Sequence, residues 1–205
     1  MSASTTTRRR IGVLGGTFDP PHIGHLIIAT ELRHALDLDL VLFVPAGQPP
    51  HKQSFPVTAE RHRLAMVQRA IADDPFFALS TVDSDRVGPS YTADLLEILS
   101  QSLAPVSLVF LMGEDSLRDI PTWHDPSRIV ALAELGVAAR PGTPVALDAI
   151  YAAVPAAQGR IIQVATPEIA ISSRDLRQRV ATGVPITYQV PAQVEQYIIR
   201  EGLYR

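Results

Sequence analysis

The chain has 205 residues, a formal net charge of −3 at pH 7, 46% hydrophobic and 19% charged residues, and no cysteine. That is one domain's length, with enough apolar material for a sizeable core. The near-neutral balance gives no overall basic field for nucleic acid; the missing thiols exclude disulfides, thiolate metal sites and a cysteine nucleophile; and no apolar run reaches bilayer length. The expectation is a cytoplasmic protein with neither a membrane nor a nucleic-acid partner.

Residues 1–10 are rich in Ser and Thr and close on Arg8, Arg9 and Arg10. A secretory signal needs a longer apolar stretch after such charges than residues 11–14 supply, so the segment reads as a disordered tail. Residues 11–14 are the first strand candidate. They run into Gly15-Gly16-Thr17-Phe18-Asp19-Pro20-Pro21-His22-Ile23-Gly24-His25 and then into a helical stretch, 22–36. The glycines let backbone approach a ligand closely. His22 and His25 share one face of the first helical turn, expected to face solvent. A helix start offers unpaired N–H groups and the positive end of its dipole. Together these point to a nucleotide phosphate site. It is not a P-loop, because Gly-Lys-Ser/Thr is missing, and its glycines do not follow Gly-x-Gly-x-x-Gly. A metal pair at His22 and His25 is the rival reading, but zinc asks for three or four protein ligands and none is evident nearby; no protein-ligated metal is expected.

Further strand candidates are 40–44, 76–79, 108–112, 135–139 and 160–164. Helix candidates are 59–72, 93–102, 126–132, 145–152, 174–181 and 192–201, with Thr58 and Ser173 as N-caps. Leu64, Val67 and Ile71 recur at helical spacing and should face a sheet. Strands alternating with helices give a Rossmann-like, doubly wound parallel α/β sheet. Residues 11–205 then form one domain, with a helical C-terminal portion from about residue 173. Prolines cluster in two long connections, 45–56 and 82–91, of a length that is often functional. Ligands of such sheets bind beyond the carboxyl ends of the strands. The opening motif, the loop after Val44 and Gly113-Glu114-Asp115 should therefore meet at one edge.

Ile171-Ser172-Ser173-Arg174-Asp175-Leu176-Arg177 is a second phosphate element: the serines bring hydroxyls and a helix start, and Arg177 a fork of donors. Other segments follow in order: Pro49-Pro50-His51-Lys52; Gly88-Pro89-Ser90-Tyr91-Thr92-Ala93-Asp94; Gly113-Glu114-Asp115-Ser116-Leu117 with Trp123; and Val190-Pro191, Val194, Tyr197-Ile198, Gly202-Leu203-Tyr204.

The opening stretch resembles the G-x-F-D-P-x-H-x-G-H signature of the nucleotidylyltransferase superfamily. Residues 171–177 resemble its I-S-S-T-x-I-R, with Arg174 in place of the usual threonine and Leu176 in place of isoleucine. The whole set, from Ile11 to Tyr204, is similar to the bacterial nicotinate-nucleotide adenylyltransferase family. The resemblance implies the HxGH nucleotidylyltransferase fold and transfer of the adenylyl group of ATP to nicotinate mononucleotide, giving deamido-NAD and pyrophosphate, with Mg²⁺ carried on the ATP phosphates. It assigns ATP to Gly15, Gly16, Thr17, Phe18, His22, His25, Gly113, Asp115, Ile171, Ser172, Ser173 and Arg177, with His22, His25 and Arg177 catalytic. It assigns the pyridine nucleotide to Lys52, Tyr91, Thr92, Trp123 and His124. Within it, the single tryptophan, Trp123, stacks on the pyridine ring, Thr92 meets the carboxylate, Lys52 the mononucleotide phosphate and Asp115 the ATP ribose. Asp19 either approaches the magnesium or only shapes the turn. Two alternatives are a pantetheine-phosphate adenylyltransferase, which shares the opening motif, and a non-catalytic adenine-nucleotide sensor. A homo-oligomer, the strictness of nicotinate over nicotinamide and the role of Arg174 are left open.

Overall fold

The computed structural model describes residues 8–47, 57–86, 88–139 and 145–205. Strands β1 (Arg9–Gly16), β2 (Leu40–Pro45), β3 (Phe77–Leu79), β4 (Val106–Gly113), β5 (Ala133–Ala139) and β6 (Ile161–Ala165) form one sheet in the order β3-β2-β1-β4-β5-β6. Every neighbouring pair is parallel. The helices are α1 (Ile23–Ala35), α2 (Glu60–Ala70), α3 (Thr92–Ser102), α4 (Glu114–Asp119), α5 (Pro126–Leu132), α6 (Asp148–Ala153), α7 (Ser173–Ala181) and α8 (Ala192–Glu201).

The central strands read as near-continuous apolar runs because helices cover both of their faces. Along β4, Leu108, Phe110 and Met112 enter one cluster with Val13, Leu96 and Ile129. Val109 and Leu111 enter the other, with Leu14, Leu32, Phe43 and Val67. This period-two alternation is what the pleat of a strand imposes. A third cluster, of Met66, Leu176, Ile186, Val194, Tyr197 and Ile198, lies off the sheet and joins α2 to α7 and α8. The chain winds outward from β1 through β2 to β3, then returns to start the other half at β4. A crevice opens where the winding reverses, beyond the carboxyl ends of β1 and β4.

Gly136 in β5 lets α1 settle on the sheet. A Cβ there would lie 2.7 Å from Leu36 Cδ1 and 3.0 Å from Leu111 Cδ2.

The elements match the expected order, with informative differences. β1 begins at Arg9, before the apolar run, because the main-chain N–H of Arg10 donates to Asp39 (2.7 Å) and its guanidinium to Glu134 (3.1 Å). α4 and the 3-10 turns Ile120–Thr122 and Pro155–Ala157 are too short to show a periodicity. Thr58 and Ser173 are not N-caps. Ala59 precedes α2, and Ser172 caps α7, its Oγ accepting from Asp175 N–H at 3.1 Å. On α2, Val67 and Ile71 are buried, but Leu64 is only half-buried while Arg63 and Met66 are enclosed. The buried face of this helix is turned because it packs on α8 as well as on the sheet.

Gly136→Val should destabilise the fold by about 1–3 kcal/mol, because the branched side chain overfills a closed contact. Urea unfolding measures this, and an unchanged midpoint would mean that α1 yields at no cost.

Candidate active site

The crevice holds a cavity of about 680 Å³, within the range of small-ligand sites. Its floor is the end of β1, Gly15, Gly16 and Thr17, with Ala46 beside it. Its far wall comes from the start of α3, Tyr91 and Thr92, and from Trp123 and His124. The expected pyridine-nucleotide residues other than Lys52 are thus gathered against the opening glycines. Lys52 lies outside the described residues.

The walls are aromatic and braced. Tyr91 and His124 stack with centroids 4.2 Å apart and planes 24° apart. Trp123 stands edge-on to Phe110 at 6.0 Å, half-buried, with Phe110 also lining the cavity. Thr92 is the first residue of α3, and the N-cap, Tyr91, has no side-chain cap. The first-turn N–H groups therefore keep their donors and the helix its positive end toward the cavity. Behind this wall, Arg86 bonds Asp83 (3.2 Å) and Asp94 (2.9 Å), and Arg128 bonds Asp94 (2.9 Å) and Glu97. Asp83, buried at the cavity, also accepts from Gly47 N–H at 2.9 Å. A Cβ on Gly47 would lie 2.7 Å from the Asp83 carbonyl oxygen, so only glycine allows the two loops this approach.

The opening motif folds tightly between β1 and α1. Phe18 is buried with φ 49°, in the left-handed region, a conformation that costs a non-glycine residue energy unless its surroundings impose it. His22 is the N-cap of α1 and His25 its third residue. The His22 main-chain N–H donates to His25 Nδ1 at 3.1 Å, so His25 occupies the place of the glutamate in a capping box. Because Nδ1 accepts, the proton of the neutral ring belongs on Nε2, which leaves an N–H donor on the outer side. The rings stack at 3.7 Å. Burial lowers His22 to about 4; burial, then the charge of His22, lowers His25 to about 3. Both are neutral donors at pH 7. The expectation of a solvent-facing pair fails for His22, which is buried.

Residues 171–177 meet the opening motif. Arg177 donates to the carbonyl of Asp19 at 2.7 Å, and Ser173 Oγ to that of Pro20 at 2.8 Å. Ser172 Oγ donates to Asp175 at 2.8 Å. Both serine hydroxyls are thus engaged within the protein, and the element offers main-chain N–H groups and the rest of the Arg177 fork. Ile171 is half-buried beside it. Gly113 ends β4 and caps α4. Asp115 is largely exposed and held by Arg118 at 2.8 Å. Arg174 is exposed. None of these lines the cavity; they form an open rim beside it.

Asp19 is buried and its carboxylate is in use: Oδ2 accepts from Thr58 N–H (3.1 Å) and Oδ1 from the Tyr204 hydroxyl (2.7 Å). It shapes the loop. The described residues contain no group of three or more His, Cys, Asp or Glu that could hold a metal. Sequence reasoning missed Arg63, Asp83 and Tyr204. A charge inside the apolar face of α2 was the signal for Arg63; Asp83 and Tyr204 gave none.

Residues 13–179 match the cytidylyltransferase-like family model, and with the sheet and rim described above this makes the chain a nucleotidyltransferase. A probable nicotinate-nucleotide adenylyltransferase of Thermomicrobium roseum is 57% identical over 96% of this chain and 92% of its own length. Another from Roseiflexus sp. (strain RS-1) is 49% identical over 95% and 98%. The chain belongs to the nicotinate-nucleotide adenylyltransferase family. The fold is that of the Plasmodium falciparum nicotinic acid mononucleotide adenylyltransferase solved with NaAD, at TM-score 0.75, 19% identity and coverage of 96% of this chain and 98% of that one.

The lowered histidines fix a pH dependence of stability. In the unfolded chain both titrate near 6.5. Below that value the unfolded state binds protons that the folded state refuses until about pH 4 for His22 and about 3 for His25. Their contribution is therefore complete above pH 6.5 and is lost as pH falls, at up to about 1.4 kcal/mol per pH unit for each ring. Urea midpoints at pH 7 and pH 5 should show the loss, and His25→Asn should flatten it. An equal slope in wild type and variant would contradict the assignment.

Proposed function

We propose that the cavity takes the pyridine nucleotide and the rim takes ATP, so that the two phosphates meet over Gly15–Thr17. The reaction joins the 5′-phosphate of nicotinate mononucleotide to the α-phosphorus of ATP, with deamido-NAD and pyrophosphate as products. The observation that carries this division is the position of the phosphate-binding glycines: they form the floor of an aromatic cavity and lead directly into the histidine-bearing helix start.

The attacking oxygen is an anion at neutral pH, so no general base is required. The protein must bring two anions together and stabilise the charge that builds on the α-phosphate and the leaving group. His25 presents its Nε2–H beside the start of α1, and His22 stands stacked on it. Neutral rings donate without the desolvation cost of a buried cation and gain most as negative charge grows. Arg177 and the first N–H groups of α7 hold the β,γ end. Asp115, at the start of α4, meets the ATP ribose, with Gly113 leaving room for the nucleotide. Magnesium arrives on the triphosphate as part of the substrate, in keeping with the engaged carboxylate of Asp19; there it neutralises phosphate charge.

On the acceptor side, Trp123 offers a flat face to the pyridine ring. The first turn of α3 at Tyr91 and Thr92 meets the ring carboxylate. Lys52 meets the mononucleotide phosphate. An anion gains from the dipole and from charge-assisted bonds, whereas an amide turns N–H groups toward N–H groups.

Pyrophosphate release with ATP and each acceptor in turn should give at least a tenfold higher kcat/KM for nicotinate than for nicotinamide mononucleotide, since a charged hydrogen bond exceeds a neutral one by about 1–2 kcal/mol. Equal use would remove the discriminating role of Thr92. Turnover only with phosphopantetheine would overturn the acceptor, and binding without turnover would leave a nucleotide sensor. Trp123→Ala should weaken both pyridine nucleotides and leave ATP affinity nearly intact. His25→Ala should lower kcat about 10²-fold, the cost of a lost transition-state donor.

A further inference from the structure

Arg63 has no part in the reaction as divided above, yet it is 2% exposed and one of the largest enclosed side chains of the described residues. Its donors go to main-chain carbonyls on three separate segments. Nε bonds Thr58 at 3.0 Å, one terminal nitrogen bonds Thr17 at 3.0 Å, and the other reaches Gly47 at 3.4 Å. Among the described residues no carboxylate pairs with it directly. Burial lowers its pKa, opposed first by the charge of Glu60 and then by that of Asp19. An enclosed guanidinium without a contacting counter-ion is a costly way to fill space, and an apolar side chain of the same volume would serve stability as well.

Two of the three carbonyls stand at the site, and the third, of Thr58, lies on the loop that leads into α2. Thr17 lines the cavity, and Ala46, which precedes Gly47, lines it too. Arg63 does not line it, so a carbonyl bonded to Arg63 faces the interior. In a trans peptide the following N–H points the opposite way. Arg63 therefore turns the N–H of Phe18 to the side away from itself. Were that peptide to flip, a carbonyl oxygen would face the triphosphate where an N–H had been. Phe18 sits at φ 49° and does not favour its conformation unaided. Asp19, next in the chain, is held from two sides: Thr58, whose carbonyl Arg63 holds, gives its N–H to one carboxylate oxygen, and Tyr204, which does not touch Arg63, gives its hydroxyl to the other.

We propose that Arg63 is a positioning residue for adenylyl transfer, which keeps the carbonyls of Thr17 and Gly47 turned from the substrates so that the opening loop presents N–H groups to ATP, with the Asp19–Tyr204 bond as its second anchor. The proposal rests on the assignment of ATP phosphates to this loop. It differs from a packing role in what it disturbs: the orientation of one peptide relative to a bound anion.

The test uses the full chain with Arg63→Lys, Arg63→Met and Tyr204→Phe, thermal melting at pH 7, ATP and nicotinate-mononucleotide binding by calorimetry, and pyrophosphate release. Lysine keeps the charge but cannot hold three carbonyls in a planar fork. Arg63→Lys should bind ATP at least tenfold more weakly and lose at least tenfold in kcat per folded molecule. Tyr204→Phe removes the hydroxyl that bonds Asp19, together with its contacts to Thr58 and Met66, and leaves the Arg63 fork in place. It should keep its melting temperature within a few degrees, raise the ATP dissociation constant about three- to tenfold, and bind nicotinate mononucleotide within about twofold of wild type. Folded Arg63→Lys with wild-type ATP affinity and kcat overturns the proposal. If the Arg63 variants do not fold, Tyr204→Phe decides alone: wild-type ATP affinity and kcat overturn it, and the split between ATP and acceptor supports it. ATP binding is read without turnover, so failure of wild type to use nicotinate mononucleotide would count against the acceptor assignment and leave this comparison standing.

Discussion

The reversal of winding between β1 and β4 is the constraint on which the rest of the molecule depends. Two neighbouring parallel strands whose following segments leave in opposite directions cannot be bridged at their carboxyl ends, and the gap between those segments becomes the crevice. β1 brings Gly15 and Gly16 to that edge and β4 brings Gly113. Phe110, one turn of the pleat deeper, fixes the edge of Trp123. Core and site thus share residues: the side chains that close one hydrophobic cluster also support the wall of the cavity.

Around this crevice the electrostatics are arranged in depth. In the proposed arrangement the groups around the reacting α-phosphate are neutral imidazoles, helix starts and main-chain N–H groups, which can receive an anion with little reorganisation. Apart from Arg177 and Lys52, which that arrangement gives to the outer phosphates, the full charges lie farther back. Arg63 sits beneath the floor. The alternating set of Asp83, Arg86, Asp94, Arg128 and Glu97 lies behind the acceptor wall and ties together the loops after β2 and β3, α3 and α5. That network is partly exposed, so each pair adds little to stability by itself. What it contributes is the fixed placement of the first turn of α3.

The parts of the site that could be read from sequence are those whose meaning is local. A glycine pair, a helix start and two histidines on one face lie within a single stretch, and the strand–helix alternation gave the sheet that positions them. Trp123 and Thr92 could be named from segments, but their meeting over Gly16 depends on strand order. Arg63 shows in the sequence only as a charge inside the apolar face of α2; its partners are hidden because they are carbonyl groups, which every residue has, and no pattern marks which one will be bound. The same holds for Tyr204, whose partner Asp19 stands at the other end of the chain. Both caps lie one residue from the expected ones: beside Ser173 the equivalent Ser172 takes the role, and α2 starts after Ala59 with no side-chain cap, because the Thr58 main chain is already bonded to Asp19 and Arg63. Leu64 was misjudged because a helix packed against two surfaces has no single buried stripe.

The register that pairs Arg9 with Val106 has a consequence for the chain while it is being made. β1 emerges early with β2 as its neighbour, but its other edge must wait for β4. During that interval a strand containing Ile11, Val13 and Leu14 presents unpaired N–H and C=O groups beside apolar side chains, the combination that seeds association between nascent chains. That strand opens on Arg9 and Arg10, with Arg8 just before them. Arg10 later bonds Asp39 and Glu134, but before those partners are in place the run is a block of like charge at the head of a sticky strand. Such a block keeps copies of an open edge apart. Arg8, Arg9 and Arg10 thus have the charge and the placement of gatekeeper residues for the strand that ends in the glycine pair.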